Sequence, residues 1–285
     1  MFAEIFAFCF LYYVKSIVGN VLIEFSKYTC GYFLMFLTNA LTASALFHFA
    51  SKDVAKKSMF KYSVLEFLSK SLLLSMERIG TQSNAHASLI LVLLMVARKT
   101  NTGPISSIIL ISIGSYLLIV NNMFIDQWFV LASFPAILCL SASSIWAYSF
   151  KGKMSTVDFM FYSNLYQAPM SLCTSLLFDI KEAIAYDYTP SFALKMMIYQ
   201  VVSIAFMYVS CKLSLEVQPT KYQLISTMRF NISGILKALT SLFLLDIPML
   251  IKYVTGLVVL SIGYGTYLYR DTTEPDVDIP VALAK

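Results

Sequence analysis

The chain has 285 residues, 58% of them hydrophobic and 13% charged, whereas ordinary globular domains are about 45–50% apolar and about 25% charged. A soluble core cannot hide that much apolar side chain, and a mean hydropathy of +0.72 points instead to a polytopic, all-α membrane protein. The formal charge of +5 is therefore read as membrane topology or an anionic ligand, not as a nucleic-acid surface.

Apolar runs of the about 20 residues that a membrane helix needs occur ten times in chain order. They cover 2–23, 30–50, 59–78, 82–98, 104–121, 128–150, 157–179, 191–211, 219–244 and 248–269. Lys15 interrupts the first, but Met1–Phe10 carries Glu4 and no base, unlike a cleaved signal peptide. Pro104, Pro190, Pro219 and Pro248 each open a run, where a missing N–H costs nothing. Pro135 and Pro169 fall inside runs, where neighbouring helices can satisfy the freed carbonyls. The connections are too short for a soluble domain.

Lysine and arginine sort by side. Connections after even-numbered runs, with the C-terminal tail, hold twelve of the 21 bases; those after odd-numbered runs hold four, namely Lys27, Arg78, Lys181 and Lys252. The positive-inside rule then places both termini in the cytosol. An internal echo joins the fifth run to the tenth: Ile111–Tyr116 (ISIGSY) is similar to Leu260–Gly265 (LSIGYG). Gly114 and Gly263 would admit a neighbouring helix at equivalent places. Five helices per half make the repeat inverted, a frequent construction among secondary transporters. The expected organisation is thus a first half over 1–122, a second over 123–270, and an acidic cytosolic tail over 271–285.

The remaining bases lie inside runs, where ionisable groups are costly and mark function by default. On the ninth run Tyr222, Ser226, Arg229, Ser233, Lys237 and Thr240 fall within about an 80° arc. That stripe holds two bases and no acid, with Arg229 and Lys237 about 12 Å apart along the axis, a separation that suits a diphosphate or two anionic contacts. Internal pairing or snorkelling is the alternative. The third run carries Tyr62, Glu66, Ser69 and Lys70, and the order Glu66 then Lys70 favours an intrahelical pair. Lys15 is read equally as a pocket base or as a snorkelling one. Ser163, Asn164, Gln167, Ser171 and Thr174 cluster on the seventh run, and Lys195, Tyr199, Ser203 and Ser210 align on the eighth. Helix-packing hydrogen bonds or a central aqueous pocket account for such faces.

Other chemistry is thin. The five cysteines have no CxxC spacing and read as free thiols. His48 and His86 are the only histidines, too few for a zinc site. Phosphate-gripping glycine motifs are absent, and no catalytic constellation shares one depth, so neither a cofactor nor an enzyme is expected.

Three local matches make the chain resemble the drug/metabolite transporter superfamily, and within it the nucleotide-sugar and triose-phosphate translocator branch. Asp158–Leu165 (DFMFYSNL) followed by Pro169 resembles the FYNN-type motif of the seventh helix. Asp246-Ile247-Pro248, then Gly256, Gly263 and Tyr267, is similar to the closing two helices, and Tyr12-Tyr13 through Asn20 to the first. The resemblance implies that Phe161, Tyr162 and Asn164 help bind a nucleotide, with Ser163 replacing an Asn, and that ninth-helix bases meet phosphate. The chain departs from the GALNK motif, whose lysine position falls on Gly234, and from the lysine-serine pair of the fourth helix, where His86-Ala87-Ser88 stands.

The expectation is an alternating-access antiporter in an endoplasmic reticulum or Golgi membrane. It would exchange a nucleotide sugar for a nucleoside monophosphate, with no ATPase motif and differential affinity between two states driving the cycle. Arg229 and Lys237 would face phosphate, and Tyr162 and Asn164 the nucleoside, with Ser163 and Ser233 also among the substrate-binding residues. Lys15, Tyr62, Lys70 and Tyr199 would line the rest. Partners are the bilayer and an anionic small molecule, not nucleic acid, and a homodimer is compatible. The alternatives are a carrier of another anionic metabolite, such as a sugar phosphate or a carboxylate, and a non-transporting membrane scaffold or receptor.

Overall fold

A computed structural model describes residues 2–22, 26–50, 56–78, 127–219 and 247–271, together with Ser107, Leu110, Ile113, Gly114, Tyr222, Ile225 and Ser226. Every regular element among the described residues is a helix, so the chain is all-α. The helices are α1 (Phe2–Asn20), α2 (Gly31–Leu46), α3 (Lys56–Arg78), α4 (Gln127–Tyr148), α5 (Thr156–Phe178), α6 (Ile180–Ala185), α7 (Pro190–Glu216) and α8 (Ile247–Asp271). Seven of the expected runs coincide with long helices to within a few residues. The runs at 82–98, 104–121 and 219–244 lie largely outside the described residues.

Local chemistry sets the boundaries. Ser155 caps α5: its oxygen accepts from the Asp158 N–H at 3.1 Å, and its hydroxyl donates to the Asp158 carboxylate at 2.7 Å. Thr189 caps α7 ahead of Pro190, the N1 position where proline loses nothing. Cys30 gives α2 no side-chain cap. Instead the Phe33 N–H donates to Asp179 Oδ2 at 2.9 Å, and a fully buried carboxylate meets the positive end of the α2 dipole. Sequence periodicity missed the short α6, which begins directly after that aspartate. Pro135 and Pro169 do lie within helices.

Packing pairs α1 with α7, α2 with α5, and α3 with both α4 and α5, while α7 also meets α2, α4 and α5, and α2 meets α3. Exchanging α1 with α4, α2 with α5 and α3 with α7 converts these pairings into one another or into themselves, except that α4 with α7 has no counterpart between α1 and α3. Gly114 packs on α8: a Cβ there would stand 2.7 Å from Leu260 N and 2.9 Å from Gly256 O. The echo residue thus serves close backbone approach, with the adjoining Ser107 and Thr266 hydroxyls 3.0 Å apart.

The interior mixes apolar with many polar side chains, and large apolar side chains stand at the surface. Buried positions include Thr38, Asn39, Gln167, Ser171, Gln200 and Ser203, while Phe49, Leu177 and Ile184 are each more than three-quarters exposed. The buried hydroxyls return hydrogen bonds to their own helices, as Thr38 does to Leu34 O and Ser63 to Met59 O, both at 2.8 Å. That is how serine and threonine satisfy themselves in apolar helices. Among the described residues one helix, Pro190–Glu216, is long and apolar enough by itself to cross a membrane, and 17% of its most apolar stretch is buried within the protein. Gly31–Leu46 and Val254–Thr266 are apolar but shorter, and α3 falls short because seven of its residues are charged.

Candidate functional site

Two seams run through the bundle and collect the expected site residues. The first joins α3 to α5. Glu66 and Lys70, one turn apart, form an ion pair with Nζ 2.8 Å from Oε1. The other carboxylate oxygen accepts from Ser163 Oγ at 2.9 Å and from Gln167 Nε2 at 2.7 Å. Lys70 also donates to Gln167 Oε1 at 3.1 Å. Tyr62, one turn before Glu66, is buried, its ring 4.8 Å from that of Phe159. Every charge in this seam is met by an opposite charge or a donor. Lys70 and Ser163, both expected to face a ligand, are engaged with Glu66.

The network continues across α2 and α7. Asn39 donates to Ser171 at 3.3 Å, and Thr38 to Gln200 Oε1 at 2.7 Å. Asn164 is buried and uses Nδ2 on Met160 O at 2.6 Å. Its Oδ1, with Gln200 Nε2 and Ser203 Oγ, has no hydrogen-bond partner among the described residues. A buried polar atom left so costs about 1–3 kcal/mol, a cost that an occupant able to hydrogen-bond would remove. Tyr162 is buried too, with its ring 5.0 Å from that of Phe161 and 6.5 Å from that of Tyr166.

The second seam joins α1 to α7. Phe8, Tyr12, Lys15 and Gly19 recur at spacings of four, three and four, as do Tyr199, Ser203, Phe206 and Ser210 on α7, so each set forms one stripe of its helix. The Lys15 ammonium lies 5.4 Å from the Phe206 ring centroid and 5.8 Å from that of Tyr199. Phe8 stacks on Phe206 at 5.1 Å, and Tyr12 is tilted against it at 5.7 Å. Tyr222, the first residue of the expected ninth-run stripe, joins this seam: its hydroxyl is 2.9 Å from that of Ser210, and its ring is 6.4 Å from that of Phe8. Ser226, next on that stripe, is buried. Arg229, Ser233 and Lys237 lie outside the described residues.

Lys15 and Tyr199 are therefore brought together, as are Lys70 and Ser163, but in different seams. The sequence reading missed Phe8, Phe206 and Gln200. The four-three-four spacing of the α1 stripe was visible in the sequence, whereas nothing local marks Gln200.

No protein-family model matches the sequence, and no curated protein matches it. A solved structure described only as "Crystal structure of protein" aligns over 96% of this chain and 98% of its own, with a TM-score of 0.67 and 14% identity. That likeness covers the whole chain and is one of fold.

Proposed function

We propose that this chain is a membrane carrier built from two inverted five-helix halves, which exchanges a nucleotide sugar for a nucleoside monophosphate across an endomembrane. The observation that carries the reading is the α1–α7 seam. A basic group lies there against aromatic rings, and the stripe that leads in sequence to Arg229 and Lys237 begins there at Tyr222. Lys15, Arg229 and Lys237 would meet the phosphates, and Asn164 and Tyr162 the nucleoside.

Large apolar side chains at the surface suit a protein solvated by lipid, since lipid gives apolar surface no reason to be buried. The exchange relation among helix pairings supports an inverted repeat, and a site between the repeats would suit rocking of one against the other. Ten spans follow if the three runs outside the described residues are also helices.

A second reading is favoured by one observation. Glu66 engages both Lys70 and Ser163, which leaves fewer groups for a large nucleotide and suits a smaller anion such as a sugar phosphate.

The deciding experiment is uptake into proteoliposomes preloaded with nucleoside monophosphate. Exchange of a nucleotide sugar, abolished by Arg229→Ala and weakened by Lys15→Ala, is expected. Exchange of sugar phosphates alone would select the second reading, and exchange of no anion would defeat both.

A further inference from the structure

The end of the bundle where α2, α4 and α7 finish and α3 and α5 begin carries a basic and aromatic rim. Packing of α3 on α4 sets Lys61 over Trp146, with Nζ 5.6 Å from the ring centroid. Two residues on, Tyr148 receives Lys151: the ammonium is 5.0 Å from the ring centroid and donates to the hydroxyl at 3.3 Å. The turn that follows is fixed in place. Phe150 is buried in the core shared by α3, α4 and α5, Gly152 takes a left-handed φ of +70°, and the Lys153 N–H closes on Phe150 O at 2.9 Å. Anchoring Phe150 leaves Lys151 and Lys153 exposed on either side of the glycine.

The acids described at this end are Glu4, paired with Lys212, Asp158, bonded to Ser155, and Glu216; none of them pairs with a rim lysine. Residues 149–155 contain no acid, and the first turn of α3, which begins Lys56-Lys57, contains none. Among the described residues Lys61, Lys151 and Lys153 take part in no ion pair. At the opposite end Lys27 and Lys181 stand among Asp179, Glu182 and Asp187. Lysines beside Trp and Tyr at one end of a membrane bundle lie at headgroup depth, where each is worth about five-fold in binding to an anionic leaflet.

We propose that the Lys61–Trp146 and Tyr148–Lys151–Lys153 rim binds the phosphate headgroups of anionic phospholipids in the cytosolic leaflet. The proposal rests on the membrane reading above but not on the identity of the cargo.

The test uses the full chain in lipid nanodiscs, with Trp128→Phe leaving Trp146 as the sole tryptophan of the two in the sequence. Quenching of Trp146 by brominated phosphatidylserine is compared with quenching by brominated phosphatidylcholine. Phosphatidylserine should be preferred. Lys151→Gln combined with Lys153→Gln should weaken the preference by up to about 25-fold, while Lys27→Gln combined with Lys181→Gln should leave it unchanged. Extraction of lipid co-purified with the unmutated protein should show the same enrichment, independently of the Trp128 change. Equal quenching by both lipids, or a preference that survives Lys151→Gln with Lys153→Gln, would overturn the proposal. So would inorganic phosphate reproducing the Trp146 response in phosphatidylcholine discs, since the site would then be one for a soluble anion. Failure to enter phosphatidylcholine discs at all would overturn the membrane reading, and this proposal with it.

Discussion

The two seams treat half-buried charge differently. Between α3 and α5, Glu66 and Lys70 neutralise each other, and Ser163 and Gln167 complete the carboxylate's hydrogen bonds. Between α1 and α7, Lys15 lies over the rings of Tyr199 and Phe206, and Glu4 pairs with Lys212. The first seam is built to join helices. The second joins its helices through an ion pair and through a cation set against aromatic rings. A base in a membrane run is thus no guide to function until its neighbours are known.

The largest expected effect tests the first half of this comparison. Glu66→Ala leaves Lys70 without its counter-ion and two donors without an acceptor, and should cost about 3 kcal/mol. Unfolding in detergent would measure it. Removing Lys70 in the same chain should recover part of the loss, because a neutral gap is better than a lone charge. Additive losses would mean that the pair is not coupled.

Next in size is Asp179→Ala, which deprives the α2 N-terminus of its carboxylate cap. A loss of about 1–2 kcal/mol is expected, with faster amide exchange at Phe33. An unchanged exchange rate there would show that the cap is dispensable.

The smallest stability effect should come from Lys15→Gln, about 0.5–1 kcal/mol from the lost cation–π contacts. In the proteoliposome assay the same substitution should weaken anion exchange far more than that change in stability would. Comparable losses in both measurements would place Lys15 with the structural charges of the first seam and erase the distinction.

Gly114 supplies a check outside both seams. Any side chain there meets the α8 backbone at Leu260 and Gly256, so Gly114→Ala should cost about 1–3 kcal/mol. A neutral outcome in the same detergent unfolding would mean that the two backbones do not approach so closely.

Much of the architecture was legible in the chain because it is written locally. A helix that must satisfy its own backbone in an apolar setting needs a continuous apolar run, and runs end where charges, prolines and caps stand. Pro190 with Thr189, and Ser155 with Asp158, mark helix starts within four residues of sequence. The Glu66–Lys70 pair was equally local, being one helical turn long. α6 was not legible, because six residues between two long helices carry too little periodicity to be distinguished from a connection.

The composition and the apolar runs by themselves pointed to an all-α chain, which the described residues are. Only the tertiary structure decided what each buried polar group does. Ser163 and Gln167 meet Glu66 across 97 and 101 residues, Asp179 caps a helix 146 residues away, and Lys15 meets rings on a helix nearly two hundred positions later. A hydrogen bond or cation–π contact acts over a few ångströms of space, whatever its separation in sequence. Periodicity can therefore place a residue on a helix face, but only packing decides what that face meets.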